Sequence, residues 1–190
     1  MSMTVSRRKD SNTPRVLQHR VADIRGGVSI KTSELGGDYL NEGSVLSIPD
    51  TDGICHVVMV ATLYAAVAAS ETKIKVKKNH HFKVGEFVMV ETGGLASTIT
   101  AIDETAKEYD TLTVDQALGA IDLGGQLAQA SAKSTTTTSA LKYKPLSISG
   151  TGKSVDPKSN MDMDAWLIAV MKGNPLPACI MEHLKGIHNY

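Results

Sequence analysis

From residue 72 to 78 the chain alternates, with Ile74 and Val76 set between Lys73, Lys75 and Lys77. A period of two puts the apolar pair on one face of a strand and the lysines on the other. Asn79-His80-His81 breaks the run. Phe82-Lys83-Val84-Gly85-Glu86 then leads into Phe87-Val88-Met89-Val90, an unbroken apolar strand. Gly93-Gly94 predicts the next turn, because glycine takes positive φ without steric penalty. Residues 97–102 and 111–114 predict two further strands, with a polar loop between them. Short strands at even spacing, separated by turn chemistry, predict a small antiparallel barrel or sandwich.

The flanking segments extend this pattern. Residues 43–48 and 54–60 predict a hairpin around Pro49-Asp50-Thr51-Asp52-Gly53, where Pro presets φ and Gly accepts a left-handed conformation. The alanine-rich stretch 61–70 suits either a strand or a short helix, and Thr62, Tyr64 and Val67 favour the strand. Residues 16–30 have no clean period. Leu17, Val21 and Ile24 would share one face of a helix that Gly26-Gly27 stops. Leu35-Gly36-Gly37-Asp38 predicts a loop, and residues 126–130 a last strand. The Ser/Thr tract 134–139 has the composition of a linker, although threonine also suits an exposed strand. Residues 165–171 are apolar throughout, as in a strand buried on both faces. Pro177 at a first helical position, Lys185 in a last turn and Gly186 just beyond predict a short helix. Ile180 and Leu184 would face its core. The expected fold class is mainly β: a small antiparallel barrel or sandwich domain followed by a small C-terminal α+β segment. The expected organisation is an N-terminal arm and lead-in over 1–42, the β-domain over 43–132, a Thr-rich linker over 133–149 and the C-terminal segment over 150–190.

Charge narrows the function classes. Among 190 residues, 20 are Lys or Arg and 20 are Asp or Glu, so the formal net charge is zero. A neutral chain has no long-range attraction for nucleic acid or an anionic membrane, and neither is expected as a partner. The local exception is the N-terminal arm, where Arg7, Arg8, Lys9 and Arg15 are the candidate partner-binding positions. The arm is too polar to fold alone and gains order by binding. Cys55 and Cys179 each sit in an apolar run and predict buried thiols rather than a disulfide. The first fifteen residues lack the apolar core of a secretion leader, which predicts a chain made in a cytoplasm. The apolar run 54–69 is rich in β-branched and small residues and lacks basic flanks, so a membrane span is not expected.

Candidate chemistry is sparse. Gly152-Lys153-Ser154 matches the tail of a phosphate-binding loop, but Ser147 stands where that loop opens with Gly, and no long helix follows. His80 and His81 are adjacent, and neighbours on a strand point to opposite faces, so they predict turn and surface histidines. His183 and His188 straddle Gly186, and no set of residues has zinc-like spacing. Asp156, Asp162 and Asp164 form an acidic group without the Gly and distal Glu of a calcium loop, and Asp156 before Pro157 predicts a turn. Cys55 and His56 are neighbours and would not form a nucleophile–base pair on a strand. Trp166, the single tryptophan, lies in an apolar run and predicts core packing before a sugar platform. The lysines at 73, 75, 77 and 78 predict a solvated strand face. No enzymatic activity, metal or cofactor is expected.

The C-terminal run resembles a known family. Gly150-Thr151-Gly152-Lys153, Asp156-Pro157-Lys158-Ser159-Asn160, Asp162, Asp164-Ala165-Trp166, Lys172-Gly173-Asn174-Pro175-Leu176-Pro177, Cys179, Leu184-Lys185-Gly186-Ile187 and Asn189-Tyr190 are similar to the head fiber proteins of tailed phages and prophages of gut bacteria. So are Gly53-Ile54-Cys55-His56-Val57-Val58 and Val76-Lys77-Lys78-Asn79-His80-His81-Phe82-Lys83-Val84-Gly85. The resemblance covers residues 43–190. It implies a non-enzymatic virion protein on the capsid exterior, bound to the major capsid protein and made in the host bacterial cytoplasm. It also implies a homo-oligomer, often a trimer, with a host or mucosal surface as a further partner. A carbohydrate- or surface-binding fiber or adhesin is the alternative, though only 4% of residues are aromatic, which is poor material for stacking on sugars.

Overall fold

The computed structural model describes residues 15–190. In chain order its strands are β1 (Leu17–Asp23), β2 (Val28–Ile30), β3 (Tyr39–Leu40), β4 (Val45–Ser47), β5 (Val60–Thr62), β6 (Lys73–Lys77), β7 (Phe87–Met89) and β8 (Ala96–Asp103). They continue with β9 (Tyr109–Val114), β10 (Gln126–Ala130), β11 (Pro145–Ser149), β12 (Lys153–Ser154), β13 (Met161–Met163), β14 (Ala165–Met171) and β15 (Ile187–Asn189). A 3₁₀ turn at Thr32–Glu34 and the helix α1 (Ala178–Met181) complete the elements. The protein is mainly β, as the alternation of its sequence predicts.

Six strands run in the order β5-β10-β7-β8-β9-β6, antiparallel at each pairing. A Leu63–Val76 bridge and a hydrogen bond from the Tyr64 N–H to the Lys75 carbonyl at 2.8 Å join β6 back to the end of β5. The strands thus close into a small barrel, which leaves little free edge to solvate. Its interior is filled from every strand, by Ala61, Ile74, Val76, Val88, Ile99, Leu112, Val114 and Leu127. β6 keeps the two-residue rhythm: Ile74 and Val76 are fully buried and its three lysines are exposed.

A second sheet has the order β1-β14-β11-β4, with β15 joining β14 in parallel. Its inner residues Leu17, Ile148, Ala169 and Met171 pack with Met89, Ala96, Ala128 and Ala130 from the outside of the barrel wall, and with Ile180, Leu184 and Ile187. β7 and β10 therefore face a core on each side, Val88 and Leu127 inward and Met89 and Ala128 outward. This explains why 87–90 is continuously apolar while 73–77 alternates. The price is Gln129, fully buried in β10, whose Nε2 donates to Glu86 Oε1 at 2.8 Å.

The expected hairpin forms: Leu46 bridges Val57, and the Asp50 N–H donates to the Ile54 carbonyl at 2.9 Å. Elsewhere the tertiary structure departs from the local reading. Residues 17–23 are a strand, not a helix, because β14 supplies its partner; Val21 is 60% exposed and shares no buried face with Leu17. The alanine-rich stretch is continuous strand only through Thr62; beyond it Leu63 and Val67 make single bridges to Val76 and Ile121, with turns between. β14 is not buried on both faces, since Leu167 and Ile168 are exposed. Within 133–149, Ser134 and Ser139 are buried and 145–149 is strand β11, paired with both β4 and β14. The pairing of β1 with β14 draws residues assigned to the lead-in and to the C-terminal segment into one sheet. No helix among the described residues is long and apolar enough to cross a membrane.

The C-terminal helix is one turn long, with Pro177 just before it, and Ile180 and Leu184 are buried as expected. Gly186 is not in a left-handed conformation. A Cβ there would collide with the carbonyl of Leu167, so the glycine allows the chain to press against β14. Gly186→Ala and Gly186→Asn should therefore both cost about 1–3 kcal/mol in urea unfolding, as overpacking does. A left-handed cap would instead tolerate Asn.

Candidate functional site

The sequence-named positions are scattered by the fold. Arg7, Arg8 and Lys9 lie outside the described residues. Arg15 is exposed at the entry to β1, where its carbonyl accepts from Gln18 Nε2 at 3.1 Å. Of Gly152-Lys153-Ser154, the last two residues form strand β12, paired with Tyr39–Leu40, and Lys153 Nζ donates to the Asp162 carbonyl at 2.6 Å. No helix follows to point amides at a phosphate. Gly150 is glycine for packing, because a Cβ there would collide with the Asp164 carboxylate and the Trp166 indole. Asp156 makes the expected turn by accepting from the Lys158 N–H at 3.0 Å. Asp164 accepts from Thr151 Oγ1 at 2.7 Å and from Trp166 Nε1 at 3.2 Å. Among the described residues no three His, Cys, Asp or Glu side chains are grouped to hold a metal ion. Both cysteines are free and buried, and burial pushes both thiols up.

The turn Asn79-His80-His81 follows β6 of the barrel. Both imidazoles are buried, contrary to the expectation of surface histidines. Asn79 and His81 hold φ of 67° and 64°, a left-handed backbone that side chains with a Cβ adopt at a cost of about 1–2 kcal/mol each. Backbone amides hold the rings. The Phe82 N–H donates to His80 Nδ1 at 3.1 Å, and the Gly37 N–H donates to His81 Nδ1 at 3.3 Å. With Nδ1 accepting, each neutral ring carries its proton on Nε2. The loop Leu35-Gly36-Gly37-Asp38 lies against the turn closely enough to require its glycines. A Cβ on Gly36 would sit 2.8 Å from the carbonyl oxygens of His81 and Phe82.

Charge surrounds this turn unevenly. Lys78 Nζ pairs with Asp110, which is buried on β9, and also donates to the Glu104 carbonyl at 3.0 Å. His80 Nε2 lies 3.4 Å from the other Asp110 oxygen, outside hydrogen-bonding geometry. Burial lowers the His80 pKa against the pull of Asp110. Burial, with the neighbouring His80, lowers His81 to about 4, while the Tyr39 backbone and the Asp38 carboxylate oppose the change. The turn forms part of the walls of two cavities, of about 430 Å³ and 170 Å³. Both Nε2 atoms are closed off from solvent, so the histidines build the turn rather than offer a base to either cavity.

The third histidine has no signal in the sequence beyond its neighbour Cys55. His56 Nδ1 lies 3.0 Å from Glu34 Oε2 and its Nε2 3.4 Å from Asp50 Oδ2, and its ring stacks on Tyr143 at 4.1 Å. The Tyr143 hydroxyl donates to the same Glu34 oxygen at 2.8 Å. Burial would raise Glu34, but Tyr143 and His56 outweigh it and hold the carboxyl below its ordinary range. Burial and the bond to Glu34 push the Tyr143 hydroxyl up. Both ring nitrogens and one ring face of His56 are engaged. It ties the 3₁₀ turn, the hairpin turn and the approach to β11 together.

No protein-family model, curated protein or solved structure matches the chain.

The buried His81 makes stability depend on pH. Its folded value of about 4 lies below the ordinary 6.5, so the unfolded chain takes up the proton first as pH falls. The contribution is fully present above about pH 6.5 and is lost as pH falls through 4, up to about 3 kcal/mol, with His80 acting in the same direction. Asn tolerates positive φ, so His81→Asn should fold and lose less stability between pH 7 and pH 4 in urea titrations. Equal losses in the two proteins would show that His81 does not carry the effect.

Proposed function

We propose that this chain is a non-enzymatic structural protein of a phage virion, a head fiber or auxiliary capsid protein held on the capsid exterior by the major capsid protein. Its resemblance to head fiber proteins over residues 43–190 supports this reading, and so does its mainly β body. The observation that carries the mechanism is where the arm joins that body. Residue 15 leads straight into β1, the outermost strand of the second sheet, whose residues from Gln18 to Val21 are all exposed. An arm attached at an open sheet edge can bridge two proteins without disturbing either core. In this reading Arg7, Arg8, Lys9 and Arg15 contact the capsid protein, and the arm and the β-domain form the anchored end. The chain assembles as a homo-oligomer in the infected bacterial cytoplasm.

The alternative, a carbohydrate- or host-surface-binding fiber module, would use Trp166 as its platform. That indole is half-buried, its Nε1 donates to Asp164, and the Arg20 guanidinium lies 5.4 Å from its ring centre. A ring engaged on its edge and one face is poorly placed to stack on a sugar.

Removing residues 1–14 should lower the copy number of this protein on purified phage heads, measured by quantitative mass spectrometry, while the truncated protein still folds. An unchanged copy number would rule out anchoring by the arm, and absence of the full-length protein from heads would rule out the capsid reading. Reproducible binding on a glycan array, abolished by Trp166→Ala, would favour the adhesin.

A further inference from the structure

One inward position of the barrel holds a carboxylate. In β9 the buried positions are Asp110, Leu112 and Val114, and Asp110 and Leu112 lie opposite the interior residues Val76 and Ile74 of β6. The period of two calls for an apolar residue at 110, yet aspartate stands there, only 4% exposed. Lys78, just beyond β6 and diagonal to it, donates from Nζ to Asp110 Oδ1 and to the Glu104 carbonyl at 3.0 Å. Long side chains reach such diagonal neighbours. Among the described residues Asp110 accepts no other hydrogen bond. The Lys133–Asp115 pair is the contrast: the Asp115 side chain is 26% exposed and also accepts from Ser97 Oγ at 2.7 Å and from the Thr98 N–H at 2.9 Å. A buried carboxylate with a single donor is poorly compensated for its lost hydration. His80 Nε2 stands 3.4 Å from the second Asp110 oxygen, and it is a buried atom without a hydrogen-bond partner. Because His80 Nδ1 accepts from the Phe82 N–H, the neutral ring presents a proton on Nε2.

We propose that Lys78 and Asp110 condense into an isopeptide bond, with His80 as the catalytic group. One proton passes from the Lys78 ammonium to Asp110 Oδ1 through their hydrogen bond, which leaves an amine beside a carboxylic acid. The Nζ lone pair attacks Cγ, the C–N bond forms, and the π electrons move onto Oδ2. That oxygen faces His80 Nε2–H, a donor fixed in place before the charge develops. Nζ then gives a second proton to the Oδ1 hydroxyl. The C–Oδ1 bond breaks, the carbonyl at Oδ2 re-forms, and Oδ1 departs as water. The products are one amide and one water, and His80 ends as it began. Lys78, His80, Glu104 and Asp110 line the same cavity of about 170 Å³, which receives the water. Contact between amine and carboxyl supplies the high effective concentration that condensation needs. The amide replaces two charges at the barrel interior with a neutral group. It also closes the chain from 78 to 110, which contains β7 and β8, into a covalent ring that restricts the unfolded chain as a disulfide does. The reaction occurs once per chain, without turnover, and does not rest on where the protein works.

Mass spectrometry of the full chain tests it. The denatured wild-type protein should be lighter than its sequence by one water, about 18 Da. After trypsin, the peptide that begins at Lys78 should be found joined to the peptide that contains Asp110, and no link should join Lys133 to Asp115. Lys78→Arg keeps a positive charge beside Asp110, so it should retain the wild-type circular dichroism spectrum and show neither the missing water nor the joined peptides. His80→Phe removes the donor at Oδ2 and should slow linkage about tenfold or more, read as the linked fraction at timed intervals after cell-free synthesis. A wild type without the joined peptides would overturn the proposal. So would a missing water that maps to another aspartate or persists in Lys78→Arg, or a folded His80→Phe that links as fast as the wild type.

Discussion

The structure depends on a wall of two strands that must satisfy apolar packing on both sides. β7 and β10 send Val88 and Leu127 into the barrel and Met89 and Ala128 toward the second sheet. Without that sheet, the outward residues of the wall would lie in water. Without the barrel, the sheet would lose the surface on which Leu17, Ile148 and Met171 pack. Burial of apolar area on both sides of one wall couples the two halves, and the hydrophobic effect that drives each core drives their union.

Polar groups caught in this arrangement are used as ties. Gln129 sits inside the wall and spends its amide on Glu86. His56 joins Glu34, Asp50 and Tyr143, which come from three separate segments. The turn at His80 and His81 is held from outside by the Gly36-Gly37 loop and beside Asp110 by its own barrel. Buried polar groups cost several kcal/mol when unpaired, so such contacts restrict the chain to one way of docking the loops on the strands. The strained backbone at Asn79 and His81 persists because the packing around it allows no relaxed alternative.

The outward character of the molecule comes from its periphery. The barrel closes on itself and has little free edge to offer. The second sheet is assembled from both regions of the chain, β1 on one side of β14 and β15 on the other, and it retains an open strand next to the arm. The proposed capsid attachment starts from that edge.

Much of the barrel was legible in the sequence because its information is local. Alternation at 73–77, the apolar run at 87–90 and the Pro-Asp-Thr-Asp-Gly turn each specify a strand or reversal over a few residues. The burial of Cys55 and Cys179 and the turn at Asp156 were legible for the same reason. What remained hidden was pairing between distant segments. Leu17, Val21 and Ile24 have helical spacing, yet Leu17 and Val21 join a strand because β14 offers hydrogen bonds that no local signal announces. His80 and His81 look like surface residues until the loop at Gly36 and Gly37 covers them. Glu34, His56 and Tyr143 carry no shared motif and meet only when three segments dock. The sequence by itself determined which stretches extend and where they turn, since backbone sterics and side-chain periodicity act over a few residues. Only the tertiary structure decided which strands are neighbours, which histidines are buried and which edge stays open, since those outcomes depend on packing between residues far apart in the chain.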